Sequence, residues 1–221
     1  MVRALGASVA AATLMVSSTV SAGLIFGGGN SIDLMQVGTG YIDAADPGQS
    51  EFTDLAQIFS PPVGSSLVLG GSIPGVESFF SELAFTSLVG PTATFEFESD
   101  IDIETIPPEY EVSFAGSRLV FNTVVPVLLT LTGTVTSDGS ASGFFYLYGT
   151  AAPVFLLGSV NYSVEIGPGT TAIAWGVLGQ DTAPTNDAVF AGSLSLTLVP
   201  APGAVVLLAA AGLIAGRRRR D

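Results

Sequence analysis

The residues best placed to do chemistry are five carboxylates that alternate with apolar side chains: Glu96, Glu98, Asp100, Asp102 and Glu104, interleaved with Phe97, Ile101 and Ile103. Carboxylates are hard oxygen ligands, and Asp100, Asp102 and Glu104 together offer a possible Ca²⁺ set. The looped Ca²⁺ motif places glycine at its sixth position, where Thr105 stands here, and side chains on one strand face converge poorly on a single ion. A solvated acidic face is the simpler reading. The same carboxyl groups could alternatively supply an acid/base pair for glycoside hydrolysis. Histidine and cysteine are both absent, which removes a Ser-His-Asp triad, a thiolate nucleophile and the usual zinc and copper sites. Asp181-Thr182-Ala183 only grazes an aspartic-protease pattern. No pair of carboxylates stands in a recognisable catalytic setting, so we expect a non-enzymatic protein without a cofactor, Ca²⁺ being the one exception considered.

Two further features invite a binding role. Thr130, Thr132, Thr134 and Thr136 alternate with Leu129, Leu131, Gly133 and Val135, a ladder of the kind that can contact ice or glycan and is also common on any exposed strand face. Trp175 offers a stacking platform for sugar, but among Ile173 and other apolar neighbours it is expected to pack inward as a core anchor. Asn161-Tyr162-Ser163 is a glycosylation sequon.

The elements that must position these residues are strands. A period of two from Thr94 onward puts the carboxylates on one face and Phe95, Phe97, Ile101 and Ile103 on the other, with successive charges about 6.8 Å apart. Ser31–Val37, Tyr110–Ser113, Leu119–Val125, Val154–Leu157, Val160–Ile166, Thr171–Leu178 and Ala188–Leu198 read as further strands. Ser137-Asp-Gly-Ser140 predicts a turn that joins the threonine strand to Gly143–Tyr148 as a β-hairpin. Phe52, Leu55, Ala56 and Phe59, and again Val76, Phe79, Phe80 and Leu83, fall at helical spacing and predict one or two short helices. The fold class expected is all-β: an antiparallel sandwich or jelly roll.

Both ends of the 221-residue chain differ from this middle. Arg3 followed by the apolar stretch Ala4–Val16 and by Val20-Ser-Ala22 reads as a signal peptide cut after Ala22. At the other end, Val199-Pro200-Ala201-Pro202 precedes an apolar run, residues 203–216, and then Arg217, Arg218, Arg219 and Arg220. As a helix that run is about 21 Å long, short of the roughly 30 Å hydrocarbon core, so it suits transient membrane insertion better than permanent anchoring. The arginines would hold its end on the cytoplasmic side. An ordinary single-pass anchor is the alternative.

This arrangement resembles the PEP-CTERM sorting signal of Gram-negative bacteria, with Ala201 where the family usually has Glu. The resemblance covers about a tenth of the chain. It implies processing by signal peptidase and an exosortase-like membrane enzyme, and delivery to the cell surface, outer envelope or extracellular matrix, often beside exopolysaccharide. The organisation expected is a signal peptide (1–22), an exported acidic β domain (23–198) and a sorting tail (199–221).

Within the exported body Arg118 is the single cation against eighteen carboxylates, a net charge near −17. Nucleic-acid binding needs cations to neutralise phosphates, so it is excluded. Without cysteine, the core alone must hold the domain. Three roles remain: a structural or matrix-associated surface protein, a carbohydrate-binding or Ca²⁺-dependent adhesive module, and a carboxylate-dependent hydrolase.

Overall fold

Alternation of apolar and polar side chains drives nearly every described segment into strands. The computed structural model describes residues 29–42, 50–73, 77–103, 112–138, 141–149, 152–180 and 186–199. In chain order the strands are β1 (Ser31–Ile42), β2 (Ser50–Phe59), β3 (Ser66–Ile73), β4 (Glu77–Val89), β5 (Thr92–Ile103) and β6 (Val112–Thr123). They continue with β7 (Val127–Ser137), β8 (Ser142–Leu147), β9 (Val154–Leu156), β10 (Gly158–Ile166), β11 (Gly169–Gln180) and β12 (Asn186–Leu198). Sheet one has the order β2-β1-β6-β11-β8-β9 and sheet two the order β10-β7-β12-β5-β4-β3, with antiparallel pairing throughout.

The two sheets stack as a sandwich: β4 lies over β1 and β6, β5 over β6 and β11, and β12 over β11. Inward residues of both sheets form one core. From β5 come Phe95, Phe97, Ile101 and Ile103, from β12 Phe190, Leu194 and Leu196, and from sheet one Met35, Leu119, Phe121, Ile173 and Trp175. The sheets are bridged by Phe97, whose ring meets Trp175 edge-on at 5.6 Å and Phe190 edge-on at 4.8 Å. Trp175 is fully buried, as its apolar neighbours predicted.

Three expectations are corrected. The segments expected as short helices are strands β2 and β4. A spacing of four satisfies period two as well as period 3.6, and burial shows which applies. On β4, Phe79, Leu83 and Phe85 are buried while Phe80, Glu82 and Ala84 face outward; on β2, Ala56 is buried while Leu55 and Phe59 are exposed. Among the described residues there is no helix.

Tyr110–Ser113 and Leu119–Val125 do not form two strands. One strand, β6, joins Ser113 to Leu119, because Gly116 and Ser117 keep the extended register between β1 and β11; Tyr110 and Glu111 lie outside the described residues. The expected hairpin is also absent: β7 and β8 belong to opposite sheets. β7 ends at Ser137 in sheet two and β8 begins at Ser142 in sheet one; Gly139 and Ser140 of the expected turn lie outside the described residues. Across the sandwich, Gly143 of β8 comes close against the Val135 side chain of β7 instead of pairing edge to edge.

Candidate functional site

The acidic strand and the threonine ladder face the same way. On β5, Phe95, Phe97, Ile101 and Ile103 point into the core, which puts Glu96, Glu98, Asp100 and Asp102 on the outer face of sheet two. On β7, Leu129, Leu131 and Val135 are buried, which turns Thr130, Thr132, Thr134 and Thr136 outward too. Only β12 separates the two strands. Its own outward residue Ser193 sits opposite Glu96 on one side and Thr132 on the other. The carboxylates and the hydroxyls are therefore two halves of one polar surface.

A shallow depression of about 460 Å³ lies on that surface, lined by Glu82, Glu96, Glu98, Thr132 and Ser193, with Gly133 and Gly192 among its lining. Glu82 of β4 stands directly opposite Glu98 of β5. The Cβ atoms of such directly opposed residues are roughly 5 Å apart. The Thr132 and Ser193 hydroxyls are hydrogen-bonded to each other at 3.0 Å, and Ser163 of β10 donates to the Thr130 hydroxyl at 3.2 Å. Asn161, exposed on β10, is the register partner of Thr132 and continues the row. Across the depression the surface thus passes from acceptor-only carboxylates to hydroxyls that can both donate and accept.

The body's one cation does not reach this face. Arg118 is on sheet one, where it lies opposite Gln36 and Ala174 and its guanidinium stacks on the Tyr148 ring at 4.8 Å. Among the described residues no cation compensates the acidic face of sheet two.

Negative charge is densest at one end of β5. Asp102 and Asp187 are directly opposite each other, and the Asp138 amide donates to the Asp187 carbonyl at 2.8 Å. A side-chain hydrogen bond with Asp102 raises the Asp187 carboxyl above its ordinary 3.8, and desolvation and the charges of Asp102 and Asp138 add to the rise. Asp100 is raised by burial first, then by the charges of Glu98 and Asp187. For both groups the folded state holds the proton more tightly than the unfolded chain. Their contribution to stability is complete below about pH 3.8 and is lost as the pH rises through the raised folded values. Thermal melts should therefore show the protein gaining stability as the pH falls from 7 towards 4. Asp187→Asn keeps a donor towards Asp102 while removing one of two opposed charges. It should raise the neutral-pH melting temperature by a few degrees, since such a pair costs up to about 1 kcal/mol, and should flatten the acid gain.

The Ca²⁺ candidates are not gathered into a cage. Asp100 is half-buried and Asp102 exposed, both on the outer face, while Glu104 lies outside the described residues. Among the described residues no group of three or more carboxylates is arranged to hold a metal ion. Of the sorting residues only Val199 is described; its amide donates to the Pro126 carbonyl at 2.8 Å, tying the end of β12 to the start of β7. Ala22, Pro200, Ala201, Pro202, the apolar run and Arg217 to Arg220 lie outside, as does Asp181. Glu82, Ser193 and Asp187 were not singled out in the sequence. The alternation of Ser193-Leu-Ser-Leu-Thr-Leu198 was a usable signal for an outward Ser193, whereas the places of Glu82 and Asp187 beside β5 depend on strand pairing.

No family model and no curated protein matches the chain. Among solved structures, it aligns with one described as TmCBM61 in complex with beta-1,4-galactotriose, at 13% identity over 61% of this chain and 88% of that chain. The TM-score is 0.25, too low for a site to be transferred. The class defined by fold and site is an all-β, two-sheet protein with one extended acidic and hydroxyl-bearing face.

Proposed function

We propose that this chain is an exported, non-enzymatic surface or matrix-associated protein that holds neutral carbohydrate on the outer face of sheet two. One observation carries the reading: carboxylate acceptors (Glu82, Glu96, Glu98) and hydroxyls (Thr132, Ser193) line the same depression. A glycan presents rows of hydroxyl groups, each both donor and acceptor, and this surface answers both. The absence of any cation there disfavours anionic polymers, which the net charge near −17 would repel. Arg3, Ala22, the Val199–Pro202 hinge and the Arg217–Arg220 block support the route: signal peptidase at one end and an exosortase-like enzyme at the other.

Affinity electrophoresis in gels containing soluble neutral polysaccharides tests the binding. Retardation by a neutral glycan, and none by a polyuronate, is the expected result. Combining Thr132→Val with Ser193→Ala should weaken binding about tenfold or more, the loss of two or so hydrogen bonds at about 1 kcal/mol each. Absence of retardation by every neutral glycan, or an unaffected double variant, refutes the reading. Mass spectrometry of the protein recovered from cells tests the route, which fails if Arg217 to Asp221 remain attached.

The hydrolase reading gains one observation, the opposed Glu82–Glu98 pair. Retaining glycosidases place two carboxyl groups about 5 Å apart, a separation that directly opposed strand residues can reach. Here, however, both groups rise side by side from one sheet, so a chain lying on the face meets them from the same side. Release of reducing ends from a bound polysaccharide, abolished by Glu98→Gln, would establish hydrolysis in place of simple binding.

A further inference from the structure

A two-sheet sandwich has four edge strands, here β2 and β9 in sheet one and β3 and β10 in sheet two. Among the described residues, each edge shows a row of backbone N–H and C=O groups with no strand beside it. Proteins blunt such rows with charges, shortness, proline or bulges. Three of the four edges are blunted. Strand β2 contains Glu51 and Asp54 and has a register shift in its pairing with β1; β9 is three residues long; β10 carries Glu165.

Strand β3 has none of these devices. Ser66-Leu-Val-Leu-Gly-Gly-Ser-Ile73 is eight residues without charge or proline, and its register against β4 is unbroken from Ser66↔Ala84 to Ile73↔Glu77. Its surroundings are apolar as well. Strands β2 and β3 stack at the same rim, and there Leu55 is 43%, Phe59 69%, Val63 44% and Val68 38% exposed. An uncharged edge thus stands on a body that elsewhere carries a net charge near −17, with Val68 exposed on the outer face of sheet two and Leu55 and Phe59 exposed on that of sheet one.

We propose that this rim is a self-association surface, with β3 pairing antiparallel to β3 of a second copy and making sheet two continuous across the dimer. Charge selects the occupant. Two copies repel one another over most of their surfaces, whereas β3 brings no charge against its own image. A cationic partner would instead be drawn to the acidic outer face. Strand alternation allows a two-fold contact. Centred on Leu69, antiparallel pairing sets Ser66 opposite Ser72 and Val68 opposite Gly70, so outward residues meet outward residues. Two acids of β4 are register partners of this strand, Glu82 of Val68 and Glu77 of Ile73, and Asp54 lies on β2. Their residual repulsion is screened at physiological salt, so the dimer tightens as salt is added.

Sedimentation velocity of the mature protein recovered from the cells that make it, over a range of concentrations in 0.15 M salt, tests this. The expected result is a monomer–dimer equilibrium that Val68→Lys weakens at least tenfold. Phe155→Lys on the opposite rim should leave the dimer intact. Both side chains are exposed, so circular dichroism should show unchanged strand content. A monomer at every concentration overturns the proposal. So does a dimer that survives Val68→Lys, or one that Phe155→Lys abolishes.

Discussion

Trp175→Ala should lower stability by about 3–5 kcal/mol, the usual cost of truncating a large buried aromatic. For a protein of this length that corresponds to a fall in melting temperature of roughly 6–20 °C. The side chain is fully buried, and its ring is the sheet-one partner of Phe97, which in turn packs on Phe190 of sheet two. Truncation leaves a void between the sheets and removes the edge-to-face contact with Phe97. With no disulfide available, packing alone holds the two layers together. Trp175→Phe should be tolerated much better. The Trp175 Nε1 has no hydrogen-bond partner, so phenylalanine gives up volume without giving up a bond. Thermal or urea melts of the two variants check the pair. Equal losses from both would mean that the indole has a role beyond packing.

Gly192→Ala should be nearly as damaging and should also distort the depression. Gly192 of β12 and Gly133 of β7 are register partners in the middle of sheet two. A Cβ on Gly192 would collide with the Thr132 carbonyl oxygen, and one on Gly133 with the Ala191 carbonyl oxygen. Backbone atoms held in a ladder cannot swing aside as a side chain can. The paired strands β7 and β12 would have to part, at a cost of about 3 kcal/mol. Because both glycines and the neighbouring Thr132 and Ser193 line the depression, glycan affinity should fall together with stability. Gly167→Ala is the control. Gly167 is exposed and a Cβ there meets nothing within 4 Å, so the change should be neutral or stabilising by up to about 1 kcal/mol. Sheet one repeats the device with Gly116 and Gly176, where a Cβ would meet the Trp175 and Ala115 carbonyl oxygens.

Strand content was legible wherever one face of a strand meets the core and the other meets water. On β5 and β7 the alternation gives the right outward face at each described position, because period-two geometry allows no other assignment once Phe97 or Leu131 is inside. It failed on β2 and β4, where apolar residues four apart fit both periods. On β4 large side chains stand on both faces, Phe79 inward and Phe80 outward, so the pattern has no clean alternation to read. The supposed hairpin after β7 shows a second limit. A turn sequence states that the chain reverses, but the choice between the same sheet and the opposite one rests on which side chains fill the gap between layers. Here that choice rests on Gly143 against Val135.

By itself the sequence determined the chemical character of the molecule: acidic, without histidine or cysteine, strand-forming, with one cation in its body and an inward-facing tryptophan. These follow from composition and local periodicity, which do not depend on distant parts of the chain. Only the tertiary structure decided that Glu96 and Glu98 share a face with Thr132, that Ser193 stands between them, that Asp102 meets Asp187, and that β3 is left at an edge. Each of those depends on pairing between strands far apart in sequence. Registers of that kind are set by the fit of both sheets around a common core, a condition that no local stretch contains.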